Sequence, residues 1–122
     1  MSVEIKRIYE PADETDGKRI LVDRLWPRGI SKQKAQVDEW LKDVAPSPSL
    51  RVWFGHKAEN FPEFSQLYRA ELETEPAKQQ AILHLLEVAS SGNLTLVYGA
   101  KNETVNHAIV LRQYLLEKVL RP

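Results

Sequence analysis

Cysteine is absent from the chain, and with it go disulfides, thiolate zinc sites, iron–sulfur clusters and every mechanism built on a cysteine nucleophile. Long apolar runs are missing too. None approaches the roughly 20 residues that cross a bilayer, and Met1 to Glu10 is charged where a secretory signal needs an apolar centre. A cytoplasmic protein with no membrane partner is the expectation. Neither sign of charge is in excess: Lys plus Arg and Asp plus Glu each number 17 in 122 residues, so no global field draws the chain to a polyanion. There is no His-rich spacing or His-Glu-x-x-His helix for a metal, and no Gly-x-Ser-x-Gly elbow for a serine hydrolase. Neither a P-loop nor a dinucleotide fingerprint is present, so no cofactor is called for. No repeat, low-complexity tract or long linker divides the chain, and residues 1–122 read as one domain, long enough to bury roughly 65–70% of its unfolded surface.

What is present centres on Ile20-Leu21-Val22-Asp23-Arg24-Leu25-Trp26-Pro27-Arg28-Gly29. Its first half is a short, branched, apolar run, a buried strand; Pro27 and Gly29 forbid its continuation. Asp23, Arg24, Trp26 and Arg28 are thereby delivered where a core strand stops, the usual place for ligands in open α/β sheets. Guanidinium groups there suit an anion with several oxygens. The second strand end is Val97-Tyr98-Gly99-Ala100-Lys101, followed by Asn106 and His107 in the first turn of a terminal helix. Gly99 permits close approach of a ligand or a neighbouring chain. Lys101 reads as a solvated side chain. If the strands share a sheet and a direction, Arg24, Arg28, Asn106 and His107 surround one cleft with Trp26 as its wall, and Arg51 and His56 are placed to rim it. Asp23 with His107 makes a candidate acid–base pair, the carboxylate fixing the imidazole's tautomer. The bland alternative pairs Asp23 with Arg24 or Arg28 inside the protein.

The remaining elements follow from periodicity and punctuation. Val3 to Tyr9 alternates as a first strand, and Glu10, Asp13, Glu14 and Asp16 form an acidic run that reads as solvated loop. This loop is short for a parallel crossover, so local rules make the first two strands antiparallel. Ser31 caps a helix with Val37, Trp40, Leu41 and Val44 as its stripe; Ser47-Pro48 opens a short helix closed by Gly55, in which Trp53 and Phe54 are core. Helices from Asn60 to about Leu72 and from Pro76 to Gly92, a buried strand from Leu94 to Gly99, and a helix from Val105 with Ala108, Leu111, Leu115 and Val119 inward complete a small α/β fold.

The strings Leu21-Val22-Asp23-Arg24-Leu25-Trp26-Pro27-Arg28-Gly29, Trp40-Leu41-Lys42, Ala45-Pro46-Ser47, Trp53-Phe54-Gly55-His56 and Asn106-His107-Ala108 resemble the YeaO-like proteins, a bacterial and archaeal group within a domain-of-unknown-function family. The resemblance implies a single α/β domain in the cytoplasm, its central, mostly parallel sheet packed between helices, with the first two strands parallel. It brings no established reaction. Where related sequences tend to be acidic after Lys101, this chain has Asn102. The leading expectation is a binder of a small anionic ligand, phosphate-bearing or nucleotide-like, with proton exchange at His107. A nucleic-acid accessory protein using Arg24, Arg28, Lys32 and Lys34, and an oligomerising module burying Trp26 and Trp53, are the alternatives.

Overall fold

A computed structural model describes residues 2–120. Four strands, β1 (Ser2–Arg7), β2 (Lys18–Leu21), β3 (Glu39–Trp40) and β4 (Asn93–Tyr98), form one sheet in the order β1-β4-β2-β3, every pairing parallel. The helices are α1 (Lys32–Ala35), α2 (Pro48–Phe54), α3 (Phe61–Thr74), α4 (Pro76–Ser91) and α5 (His107–Leu120). Among the described residues no helix is long and apolar enough to cross a membrane.

β4 is one of the two interior strands, with β2, and is buried from Leu94 to Tyr98, the near-continuous apolar reading of a parallel strand covered on both faces. The pleat sends alternate residues to opposite faces. On one face Val3, Ile20, Val22, Leu94, Leu96 and Tyr98 join Phe54, Phe64, Tyr68, Leu85, Leu111 and Leu115 of the helices in the main core. On the other, Leu21 and Val97 meet Ile8, Ala35 and the half-buried Trp26, Ile30, Val37 and Trp40. That second face is also polar. Asp16 and Arg19 are buried there, with Asp16 2.7 Å from Arg19 and 3.2 Å from Lys6. Arg19 further donates to the carbonyls of Ala35 and Gln36.

Several local expectations give way to this packing. The antiparallel reading of the first two strands fails because they are not neighbours: β4 lies between them, and residues 8–17 cross over it with a single 3-10 turn, Glu14–Asp16, in place of a crossover helix. Asp13 and Asp16 close that turn as a reciprocal cap. Asp16 is therefore an internal ion-pair partner, whereas Asp13 and Glu14 are exposed as a solvated run would be.

The helix expected over Val37 to Val44 is also overturned. Ser31 does cap a helix, but α1 ends after one turn at Gln36, which takes the left-handed conformation (φ 49°). Beyond it, Asp38 N–H donates to Arg19 O at 2.7 Å and Leu41 N–H to Leu21 O at 2.8 Å, so the free edge of β2 outcompetes the helical ladder. Trp53 is not core; it stands 42% exposed, while Phe54 beside it stacks 4.1 Å from Phe64. Val119 is likewise exposed. The caps at Ser47 and Gly55 and the boundaries of α3 and α4 fall where the sequence signals put them.

Candidate functional site

Parallel strands aim all their carboxyl ends one way, so the segments after β1, β2 and β4 emerge together. Between them and the loops flanking α2 lies a cleft of about 470 Å³. Asp23, Arg24, Trp26 and Arg28 line it from the end of β2, Gly99 and Lys101 from the end of β4, and Tyr9 from the end of β1. Asn106 and His107 at the start of α5 and Arg51, Phe54 and His56 around α2 complete it. Every residue assigned from sequence to the anion cleft or the acid–base pair thus borders one cavity, whereas Lys32, Lys34 and Trp53, which the alternatives used, do not. Lys101, taken for a solvated side chain, lines it as well, though exposed. Tyr9 was missed; the signal available was its position just past a strand, the same one that marked Arg24.

The geometry near the floor is specific. Asp23 does not pair with an arginine. Its Oδ2 accepts from Gly99 N–H at 3.0 Å, and its Oδ1 lies 3.2 Å from His107 Nε2. That imidazole nitrogen is also 3.1 Å from the Val22 carbonyl, which can only accept, so Nε2 carries a hydrogen and directs it there. Asp23 Oδ1 then sits beside the ring without receiving a hydrogen bond, and Arg24 Nε, also buried, has no acceptor. The approach that Gly99 permits is made by the chain itself: a Cβ there would come 2.9 Å from Pro27 Cγ and 3.0 Å from Asp23 Oδ2. Asp23, Pro27, Gly99 and His107 therefore form one latch between β2, β4 and α5.

The walls are fixed by their own bonds. Trp26 donates Nε1–H to Ile30 O at 2.7 Å and meets Trp40 edge-on at 5.5 Å; Trp40 in turn donates to Asp23 O at 2.7 Å. Tyr9 Oη donates to the Arg28 carbonyl at 2.6 Å, tying the end of β1 to the arginine loop. Asn106 is buried; its Oδ1 accepts from Ile109 N–H at 3.0 Å as the N-cap of α5, and its side-chain amide donates to Asn102 O. Asn102 Oδ1 accepts from the Thr104 and Val105 amides, a turn-forming task that an acidic residue would perform equally well. Beneath the cleft Tyr68 Oη donates to Val44 O at 2.5 Å, and burial pushes its phenol well above the ordinary value. Burial also pushes the Tyr98 phenol up.

Charge on the lining is one-sided. Arg24, Arg28, Arg51 and Lys101 are cationic, and Asp23 is the sole carboxylate among the lining residues. Among the described residues none of those four cations forms an ion pair, whereas Lys6, Arg19, Arg69 and Arg112 elsewhere do. Among the described residues no three or more histidine, aspartate or glutamate side chains gather closely enough to hold a metal ion.

A parallel α/β domain with this strand-end cleft is the setting in which the comparisons with known proteins fall. The family profile described as "Inactive DUF488-N3 subclade" matches residues 2–122. The chain belongs to this YeaO-like DUF488 family. It is 45% identical over 115 residues to Uncharacterized protein YeaO of Escherichia coli K12, covering 94% of this chain and 97% of that protein. It is 41% identical over 113 residues to Uncharacterized protein Rv3073c of Mycobacterium tuberculosis H37Rv, covering 93% and 92% respectively. No solved structure matches the chain.

Proposed function

We propose that the protein binds a small anionic ligand, phosphate-bearing or nucleotide-like, in the strand-end cleft. One observation carries the reading: four cationic side chains border a single cavity whose only lining carboxylate pairs with none of them and accepts from Gly99 N–H instead. Cations gathered without counter-charges repel one another, and an anion removes that cost. Arg24 and Arg28 hold it, Arg51 and Lys101 close the rim, and Trp26, already bonded through its indole nitrogen, offers a rigid wall. Asn106 caps α5 and keeps His107 in place.

Binding is favoured over turnover. The word "inactive" in the description of the matching family profile agrees with a binder. With Nε2–H committed to Val22 O, proton exchange with a ligand falls to His107 Nδ1. Nucleic-acid binding remains the second reading through the same arginines, and it differs in its salt response, many phosphate contacts giving a steep slope and a small ligand a shallow one.

The test is calorimetric titration of the purified protein with pyrophosphate and a panel of nucleotides at several salt concentrations. Arg24→Ala should cost about 1.5–3 kcal/mol of binding, the worth of one charge-assisted hydrogen bond. Failure of every anion to bind, or equal binding by wild type and Arg24→Ala, removes the proposal.

A further inference from the structure

Two adjacent residues that line the cleft each keep one buried side-chain atom without a hydrogen-bond partner, and the atoms are of opposite kind: Asp23 Oδ1 accepts, Arg24 Nε donates. Such atoms are uncommon in folded proteins, because a polar group that leaves water forfeits its bonds unless the protein replaces them. The nearest donor to Oδ1, His107 Nε2, is 3.2 Å away but gives its hydrogen to Val22 O, and the Gly99 amide is taken by Oδ2. A bare oxyanion satisfies only half of this arrangement. It accepts from Arg24 and is repelled by the carboxylate next to it.

We infer that the ligand carries, beside its anionic group, a hydroxyl that donates to Asp23 Oδ1, which makes phosphorylated sugars and polyols the ligand class; this rests on the anion-binding reading above. In such a molecule the phosphate accepts from Arg24 while a hydroxyl a few bonds away donates to Asp23. Both residues line the same cleft, and about 470 Å³ holds a molecule of this size. The Asp23 side chain is 18% exposed and lines the cleft, which places its carboxylate at the surface the ligand meets.

The experiment is isothermal titration of the full chain with ribose 5-phosphate, propyl phosphate and inorganic phosphate. The first two share a phosphate monoester and differ in hydroxyls. Ribose 5-phosphate is expected to bind at least about tenfold more tightly than propyl phosphate, the factor set by one hydrogen bond to a charged group. In Asp23→Asn the amide oxygen still accepts from Gly99 N–H, while its NH₂ stands where an acceptor was. The preference should then fall to about one, while loss of the carboxylate's repulsion strengthens the binding of both esters. Equal binding of the two esters by wild type overturns the inference and leaves anion binding intact, as does a preference that survives in Asp23→Asn. Should that variant fail to fold, the wild-type ratio alone decides. If no phosphate binds, the anion-binding reading itself has failed and takes this one with it.

Discussion

Adding one methyl group at Gly99 should disturb stability and the cleft together. The Cβ of Gly99→Ala would stand 2.9 Å from Pro27 Cγ and 3.0 Å from both Pro27 Cβ and Asp23 Oδ2, where ordinary contact is about 3.5–4.0 Å. Neither neighbour can step aside cheaply. A change of pucker in the proline ring shifts Cγ but leaves Cβ in place, and Asp23 Oδ2 is held by the Gly99 amide itself. Relief means displacing the loop from Asp23 to Pro27, an overpacking cost of about 2 kcal/mol. For a domain of this size that is a fall in melting temperature of roughly 6–12 °C. Gly92→Ala is the control, because a Cβ there meets nothing within 4 Å and its backbone is extended. Circular-dichroism melts of the two variants give the comparison, and titration with pyrophosphate should show weaker binding by Gly99→Ala alone. A Gly99→Ala melt within about 1 °C of wild type would refute the close packing of the two strand ends, and with it the latch that places Asp23.

Asp16→Asn should cost about 3 kcal/mol at neutral pH by leaving Lys6 and Arg19 short of their counter-charge, read by urea denaturation. Burial alone would push the Asp16 carboxyl up, yet hydrogen bonds from Asp13 N–H, Lys6 and Arg19 hold it below the ordinary carboxylate range. Its stabilisation is thus present above about pH 4 and lost as pH falls through the lowered folded value, so the variant should show a smaller loss on acidification than wild type. Tyr68→Phe strands the Val44 carbonyl and should cost about 1–2 kcal/mol in the same assay. Since the folded Tyr68 phenol lies above its unfolded value, it stabilises fully below about pH 10 and loses that contribution as pH rises beyond it; its phenolate absorbance should appear only together with unfolding. Arg28→Ala should weaken pyrophosphate binding with little change in melting temperature, because Arg28 is exposed and forms no ion pair among the described residues.

Much of the site was legible because its residues lie where the chain announces a break. β2 stops at Leu21, ahead of Pro27 and Gly29, and β4 stops just before Gly99; the convergence of Arg24, Arg28 and His107 needed the further condition that both strands share one sheet and one direction, which holds. Sequence reasoning failed where a distant edge decided the outcome. The stripe Val37, Trp40, Leu41 and Val44 fits a helix, and only the unpaired edge of β2 explains why Glu39 and Trp40 join the sheet. Asp16 looked like one acid among several, and nothing local says that Lys6 and Arg19 close over it. Trp53 looked like core because tryptophan usually is; its side of α2 faces outward. At Asp23 only the nearness of His107 was legible; that the Nε2 hydrogen goes to Val22 O, that Gly99 N–H donates to Oδ2 and that Oδ1 is left without a donor all depend on coordinates.

An interior position of the sheet is filled by the last strand to be made. Ser2 and Asn93, bonded across β1 and β4, are 91 residues apart, and β2 reaches β1 only through the same strand. During synthesis, β1 and β2 therefore have no hydrogen-bonded route to each other until residues 93–98 leave the ribosome. The growing polypeptide accordingly carries unpaired strand edges for most of its translation, the interval in which it is most exposed to mispairing and most in need of protection by chaperones.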